Sequence, residues 1–565
     1  MYLDFLVDIP AVKGKITRKP KGNAVYINYE YGREYDSIRK FNVPKRVIIG
    51  KLSKADPTKM QPNQNYLTYF PEADLPEEKF DSDRSSCLKI GSYLVINKVL
   101  NEYGIPELLG RQFDPKETGL FEDLMAYSLV CENNAAQYYP DYAFNHPLFT
   151  DDMHIYSDTK ISEFLCGMTK DQSVGFLNDW NAACDHRQKI YVSYDSTNKN
   201  CQAEGIELVE FGKAKVDTGD PIFNYAVGYD TRNAKPLFYE AYLGSIVDIS
   251  QFEYTIGKVK GYGYKNIGFI LDRGYFSKEN IRLMDENGYD FVMMVKGMSA
   301  LVDELVLQNK GSFEDDRDYS IRRHQVYGKT VKRKLYADDE KDRYFHLYHS
   351  TGKEHGEREE VELKLERWGR FLKEQYGTGY ELSGALQNYY EPFYDEGLLA
   401  VVREKKDVIR RELQLCGYFV LVTSEKMTAA EALDLYYSRD ASEKLFRGDK
   451  SYLGNKSLRG HTNESISARI FVEFVALIVR NRIYTLLREA VEEMDGKPNY
   501  MTVPAAIREL EKIEIVRGLD RIYRMDHAIT KTQKNILKAF GMDVPYVKSK
   551  AKRISEQLRN AEGRS

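Results

Sequence analysis

The sequence has no C-x-x-C pair, no apolar run of membrane length and no Gly-rich phosphate loop. Its six cysteines, at 87, 131, 166, 184, 201 and 416, are scattered. That spacing excludes zinc ribbons and thioredoxin-type sites and leaves buried, reduced thiols. No stretch approaches the ~18–20 uninterrupted apolar residues of a span. The start, MYLDFLVDIPAVKGK, places acids early and lacks the cationic-then-apolar layout of a signal peptide. A soluble, cytoplasmic protein is expected. GKVKGYGYKNIG is Gly-rich but has neither the GxGxxG nor the P-loop spacing, and it reads as a turn. No solenoid-type repeat is visible. Tryptophan is scarce, with two in 565 residues, one of them Trp368.

What is present is ordinary for a soluble globular chain: 42% apolar and 30% charged residues over a length that allows several domains. The net charge of −4 argues against a uniformly basic nucleic-acid binder, although a local patch would suffice. From Lys512 to Ser565 there are 13 Lys and Arg against 6 Asp and Glu, a net of +7. This tail reads equally as a phosphate-contacting helix or as a solvated end.

Residues 1–85 alternate in short Val-, Ile- and Tyr-rich runs and predict strands. Residues 86–186 carry apolar residues at i, i+3, i+4 spacing and predict a helical domain. From 187 to 296 apolar strands (KIYVSYD, FNYAVGYD, KPLFYEAYLG, NIGFILD, YDFVMMVK) interleave with helices, the pattern of a mixed, mainly buried α/β sheet. Residues 297–426 are too long for a loop and predict an inserted subdomain. Residues 427–490 return to the core with two helices, the second (ISARIFVEFVALIVRNRIYTLLREAVEEM) apolar on most faces and therefore buried. Residues 491–565 form a basic, helical C-terminal region.

Two strands end in aspartate: KIYVSYD at Asp195 and NIGFILD at Asp272. Open α/β sheets place ligands beyond the carboxyl ends of their strands. Neighbouring strands would therefore bring the two carboxylates together, and carboxylates at close range repel unless a proton or a metal lies between them. Mg²⁺, hard and oxygen-seeking, suits such a pair. Each aspartate taken alone reads first as a turn cap. In YYSRDASEKLFRGDK, Tyr436, Arg439, Glu443 and Lys450 fall at about 0°, 300°, 340° and 320° at ~100° per residue. One stripe thus carries a phenol, a guanidinium, a carboxylate and an ammonium, a set able to complete a metal site and hold phosphates. The plainer reading is a row of surface ion pairs. Asp440, Lys444, Arg447 and Asp449 read as ordinary surface charges. His346 and His349 point to opposite faces of a strand and are poor metal partners.

The Y-x2-R-x3-E-x6-K spacing of YYSRDASEKLFRGDK resembles the signature of IS4-type (IS4/IS1634-like) DDE insertion-sequence transposases. ILDRGYFSKENI resembles that family's second-aspartate motif and SYDSTN its first, in the family's order, and the likeness spans roughly Lys189 to Ile483. It implies an RNase H-like catalytic core interrupted by a β-rich insertion. It implies Asp195, Asp272 and Glu443 as a catalytic triad holding two Mg²⁺ or Mn²⁺ ions. Tyr436, Arg439 and Lys450 match the DNA-contacting positions. Arg273 is a candidate phosphate contact. Trp368 is a candidate for stacking on a flipped base, though packing within its helix is the plainer reading. The implied partners are double-stranded DNA, both terminal inverted repeats and target, and a second copy of the chain. The implied activity is cut-and-paste transposition in a bacterial or archaeal cell. A two-metal nuclease without strand transfer and a non-catalytic DNA-binding descendant are the rivals.

Overall fold

The computed structural model describes all residues except 1, 74, 76–83, 185–187, 202, 204, 211–220, 247, 265, 296–298, 454–456, 495, 497 and 563–565. The expected boundaries at 186/187 and 296/297 therefore lie outside the described residues. The chain forms two compact units. One comprises 1–173, 451–455 and 464–565, and the other 174–450 and 456–463.

In the first unit, residues 7–62 form a five-stranded antiparallel sheet, ordered Val7–Asp8, Lys59–Pro62, Phe41–Leu52, Ala24–Asp36 and Ile16–Lys21. Its core is Val7, Ile27, Ile49, Met60 and Tyr66. Helices then run from Gly91 to Gly167, as the 3.6-residue periodicity predicts. Pro115–Cys131 opens with a full capping box, in which Asp114 accepts from the Glu117 amide and Glu117 returns to the Asp114 amide. The helix Asn463–Glu492 is buried along Ile466–Val479, with Phe471 against Phe113 and Phe121. Being apolar all round, it needs partners on every side. From residue 464 it finds them in this unit. The C-terminal region is not purely helical, because Glu514–Arg517 pairs with both Tyr523–Met525 and Cys87–Lys89.

The second unit is built on a nine-stranded mixed sheet. Ile190–Asn200, Ile222–Asp230 and Lys235–Leu243 form an antiparallel meander. On the other side of the first strand, Ile267–Leu271 and then Asp290–Met294 run parallel to it. The helix Asp248–Gly261 precedes Ile267–Leu271, and Lys278–Glu286 links it to Asp290–Met294. Ser277 caps that second helix by accepting from the Asn280 amide at 3.1 Å. Gly268 faces the Tyr191 ring so closely that a Cβ would lie 2.4 Å from it. The residues of GKVKGYGYKNIG up to Gly261 continue the first helix, with the turn only after them.

The expected insertion is shorter and less β-rich than 297–426 suggests. Ser320–Ile321, Val326–Lys334, Asp342–His349 and Tyr418–Thr423 extend the main sheet instead of leaving it. Only the segment from Thr351 to Leu415 builds a core of its own, from three helices and one hairpin, Tyr390–Asp395 with Leu398–Glu404. Its core includes Val361, Leu365, Leu372, Leu386 and Leu399. Among the described residues no helix is long and apolar enough to cross a membrane.

His346 lies fully buried in the extended sheet, between the hydroxyls of Thr330 at 2.9 Å and Thr423 at 3.0 Å. Burial lowers its pKa from 6.5 to about 4. Above pH 6.5 the imidazole is neutral whether folded or unfolded. Between there and about 4 only the unfolded chain takes up the proton, so stability falls as the pH drops, by on the order of 3 kcal/mol in all. Urea unfolding at pH 7.5 and 5 should therefore show a smaller loss for His346→Gln than for the parent.

Candidate active site

The strand from Ile190 does not end at Asp195, as expected from the sequence, but continues to Asn200. Its antiparallel partner Ile222–Asp230 stays paired with it over Val192–Asn200, whereas the parallel neighbour Ile267–Leu271 stops opposite Tyr194. The next residue on each of these parallel strands is Asp195 and Asp272, on chains about 4.8 Å apart. Side chains alternate across the sheet. Tyr194 points to one face, where Thr255 donates to it at 2.9 Å and Phe252 and Tyr275 pack on its ring. Asp195, Thr197 and Lys199 point to the other.

The segment from Ala429 lies on that sheet as two helices, Ala429–Tyr437 and Asp440–Tyr452, instead of one. Thr428 caps the first with a capping box to Glu431. This helix buries Ala429, Leu433 and Tyr436 against Ile270, Val292, Tyr348 and Leu421. The second buries Ser442, Leu445, Phe446 and Asp449. On one straight helix these two faces would be about 140° apart at ~100° per residue, so both cannot meet one sheet. The turn at Ser438 and Arg439 resolves the conflict.

That turn puts Arg439 between carboxylates from both motifs. Its guanidinium lies 3.2 Å from Asp272 and 2.8 Å from Glu443, and its charge sits 5.3 Å from the centre of the Tyr436 ring. Arg439 is only 17% exposed, against 39% for Asp272 and 49% for Glu443. Burial alone would lower its pKa, but Tyr436 and the carboxylates of Asp272, Asp195 and Glu443 outweigh burial and raise it. Tyr436 is pushed up to about 12, chiefly by burial; Arg439 pulls it back, and Asp272 and Glu443 push it further. It is a neutral phenol at pH 7. Asp272 also accepts from the Arg273 amide at 2.7 Å, and Asp195 from the Ser196 amide at 2.9 Å.

The donors here are all carboxylate oxygens, the set that hard divalent cations take. Among the described residues no group of three His, Cys, Asp or Glu is arranged to enclose a metal. Between Asp272 and Glu443 the positive charge is supplied by Arg439. The cluster thus attracts a cation, as a metal-binding carboxylate set does.

Asp449 is not a surface charge. It forms an ion pair with Lys199 at 2.8 Å, both side chains at most 1% exposed, and the Lys199 ammonium lies 4.2 Å from the centre of the Tyr225 ring. Phe446 packs edge-on to the same ring. Glu443 and Asp449 are about 9 Å apart along their helix, and Asp195 and Lys199 about 13 Å along their strand. Fixing Asp449 on Lys199 therefore carries Glu443 back toward Asp195. The sequence holds a signal for this pair. Ser442, Leu445, Phe446 and Asp449 stand at i, i+3, i+4 and i+7, and an acid on an apolar face needs a buried cation. By contrast, Asp440 and Lys444 pair on the surface at 2.5 Å, as expected.

The other candidates are dispersed. Lys450 is half-buried, seven residues beyond Glu443 on the same helix. Arg273 is exposed and forms no ion pair among the described residues. Trp368 packs on Tyr389, 5.5 Å between ring centres, at the edge of the separate 351–415 core. His349 hydrogen-bonds Glu354 at 3.0 Å, while His346 is held by threonines.

A family model described as a transposase DDE domain matches residues 188–479, slightly more than half of the chain. Among solved structures, a piggyBac transposase synaptic complex with hairpin DNA is 7% identical with a TM-score of 0.29, covering 72% of this chain and 65% of that one. A Mos1 transposase paired-end complex with left transposon end is 10% identical with a TM-score of 0.14, covering 40% and 65%. The chain thus spans 65% of each solved chain. No curated protein matches the sequence.

Removing one member of the buried pair leaves the other charge stranded. Asp449→Leu alone should cost about 3–5 kcal/mol in chemical denaturation, while Asp449→Leu with Lys199→Met should recover most of it.

Proposed function

We propose, from the premise that the chain belongs to the family of transposase DDE domains, that it is a cut-and-paste DNA transposase of the IS4/IS1634-like kind. It would bind the terminal inverted repeats of its element and join the excised ends to target DNA. The observation that carries this reading is the Arg439 guanidinium held on Asp272 and Glu443, from motifs about 170 residues apart. The strand order of the sheet, with the meander Lys235–Leu243, Ile222–Asp230, Ile190–Asn200 followed by parallel Ile267–Leu271 and Asp290–Met294, supports an RNase H-like core. On this reading the division stands as a proposal with its insertion narrowed: 1–85, a helical DNA-binding 86–186, a core from 187 to about 463 interrupted by 351–415, and a C-terminal region that begins with the long helix.

Asp195, Asp272 and Glu443 are the residues that would hold two Mg²⁺ or Mn²⁺ ions. When bound, such ions lower the pKa of an attacking water or 3′-hydroxyl and stabilise the leaving 3′ oxygen. The chain's own contribution is positioning and charge. Arg439 offers a planar fork that matches two phosphate oxygens. Tyr436, neutral at pH 7, donates a hydrogen bond to a phosphate without adding charge. Lys450 and Arg273 add positive charge along the DNA backbone. Trp368 packs on Tyr389 at the edge of the 351–415 core and is given no stacking role on this reading. Two ends cut together call for a homodimer.

Incubation with DNA carrying the element's ends and Mg²⁺ or Mn²⁺ tests the reading. Asp195→Ala, Asp272→Ala and Glu443→Gln should each lower cleavage by at least about a hundredfold while leaving DNA binding intact. Variants that cut as well as the parent would overturn the site. A parent that cuts and never joins would favour a two-metal nuclease.

A further inference from the structure

Residues 1–62 hold 13 Lys and Arg against 6 Asp and Glu, a net of +7 in a chain whose total is −4. Several of these cations fall in register. Lys19 is the cross-strand partner of Tyr26, and Tyr26 that of Lys51, so the three share one face. Lys21 lies on the same face two residues along. Lys19, Lys21 and Lys51 form no ion pair among the described residues. Edge protection explains lysines on the outer strand Ile16–Lys21, but Lys51 is on an inner strand.

The same sheet carries a projecting arm. Ile16–Lys21 ends its pairing at Tyr29, and along Phe41–Leu52 the strand Lys59–Pro62 reaches only Gly50–Leu52. Beyond those points Glu30–Asp36 and Phe41–Arg46 continue as a two-stranded ribbon about 20 Å long. Its base is fixed by Glu30, which accepts from Arg33 at 2.8 Å and Arg46 at 3.1 Å. Its tip bares Tyr35 at 62%, Ile38 at 91% and Phe41 at 52%, with Arg39 and Lys40 between them. Arg39 pairs with Asp36 and Lys45 with Glu34, so the ribbon's own charges are largely balanced, and the exposed apolar groups gathered at its tip mark a contact surface.

We infer that this sheet lies lengthwise along duplex DNA, with the ribbon in the major groove and Lys19, Lys21 and Lys51, about 30 Å from its tip, on backbone phosphates farther along. The inference rests on the transposase reading and names the segment that grips its DNA. The major groove, ~12 Å wide, admits a two-stranded ribbon. The apolar tip would meet base edges such as thymine methyls, and the lysines supply the salt-sensitive part of binding.

The test is binding of a labelled random-sequence duplex, followed by anisotropy across a salt series. Lys19→Ala/Lys21→Ala/Lys51→Ala should weaken binding at least tenfold at low salt. It should also flatten the slope of log K against log salt by about 0.9 per lysine. Ile38→Ser/Phe41→Ser should weaken binding with the slope unchanged. If both surface variants keep the parent's affinity and slope while the parent cuts DNA, the ribbon inference is overturned and the transposase reading survives. A parent that neither binds nor cuts duplex DNA overturns both.

Discussion

Carboxylates gathered at the edge of a buried sheet repel, and partial burial strengthens that repulsion by removing the water that would screen it. Asp195, Asp272 and Glu443 come from three separate elements, and their charges all act on one residue, Arg439. A guanidinium suits this place because its flat fork reaches two carboxylates at once, as it does at 3.2 Å and 2.8 Å. An ammonium would serve as a point charge with no preferred plane. The neighbouring phenol takes part by staying neutral. Burial holds Tyr436 protonated, so the cluster gains a polar atom without another negative charge.

Charge balance matters only if the groups are held in place, and here the holding is done by the sheet. The parallel register puts Asp272 next to Asp195, and the alternation of the strand puts Lys199 on the same side as Asp195. Lys199 then fixes the second helix through Asp449. A buried ion pair contributes little net stability, because desolvation offsets most of the attraction. What it gives instead is register: only one seating of this helix satisfies both charges. His324 performs a similar task for the first helix by binding Asp434 at 2.7 Å.

Much of this was legible in the sequence, for reasons that separate local from long-range signals. The apolar runs that became Ile267–Leu271 and Asp290–Met294 and the all-apolar helix from Asn463 depend on neighbours within a few residues. The grouping of Asp272, Arg439 and Glu443 was reachable from motif order. What escaped depended on pairing at a distance. Asp195 looked like a strand end because its parallel neighbour stops there, whereas the antiparallel partner that carries the strand on is set by register. The strands at 326–334 and 342–349 looked like part of an insertion because nothing local says that Tyr418–Thr423 will receive them. The break at Ser438 and Arg439 was visible in principle. The apolar stripes before and after it fall on different sides of a straight helix, and the conflict pointed to a turn.

The break also bears on the proposed chemistry. Were the helix straight, Arg439 would stay in the same stripe as Tyr436 and Glu443, but burying Leu433 and Tyr436 would turn Phe446 and Asp449 away from the sheet. The pair with Lys199 would then be lost, and with it the seating of Glu443. The turn lets one side of the segment fill the core while the polar stripe stays at the rim, where Glu443 is half exposed. Ion pairs at such a rim are weak and exchange readily. On the proposed reading Arg439 is thus a resident counter-charge that gives way. Asp195, Asp272 and Glu443, the residues that would hold metal ions, are the same groups Arg439 now balances, so with ions bound its fork would be available for a phosphate.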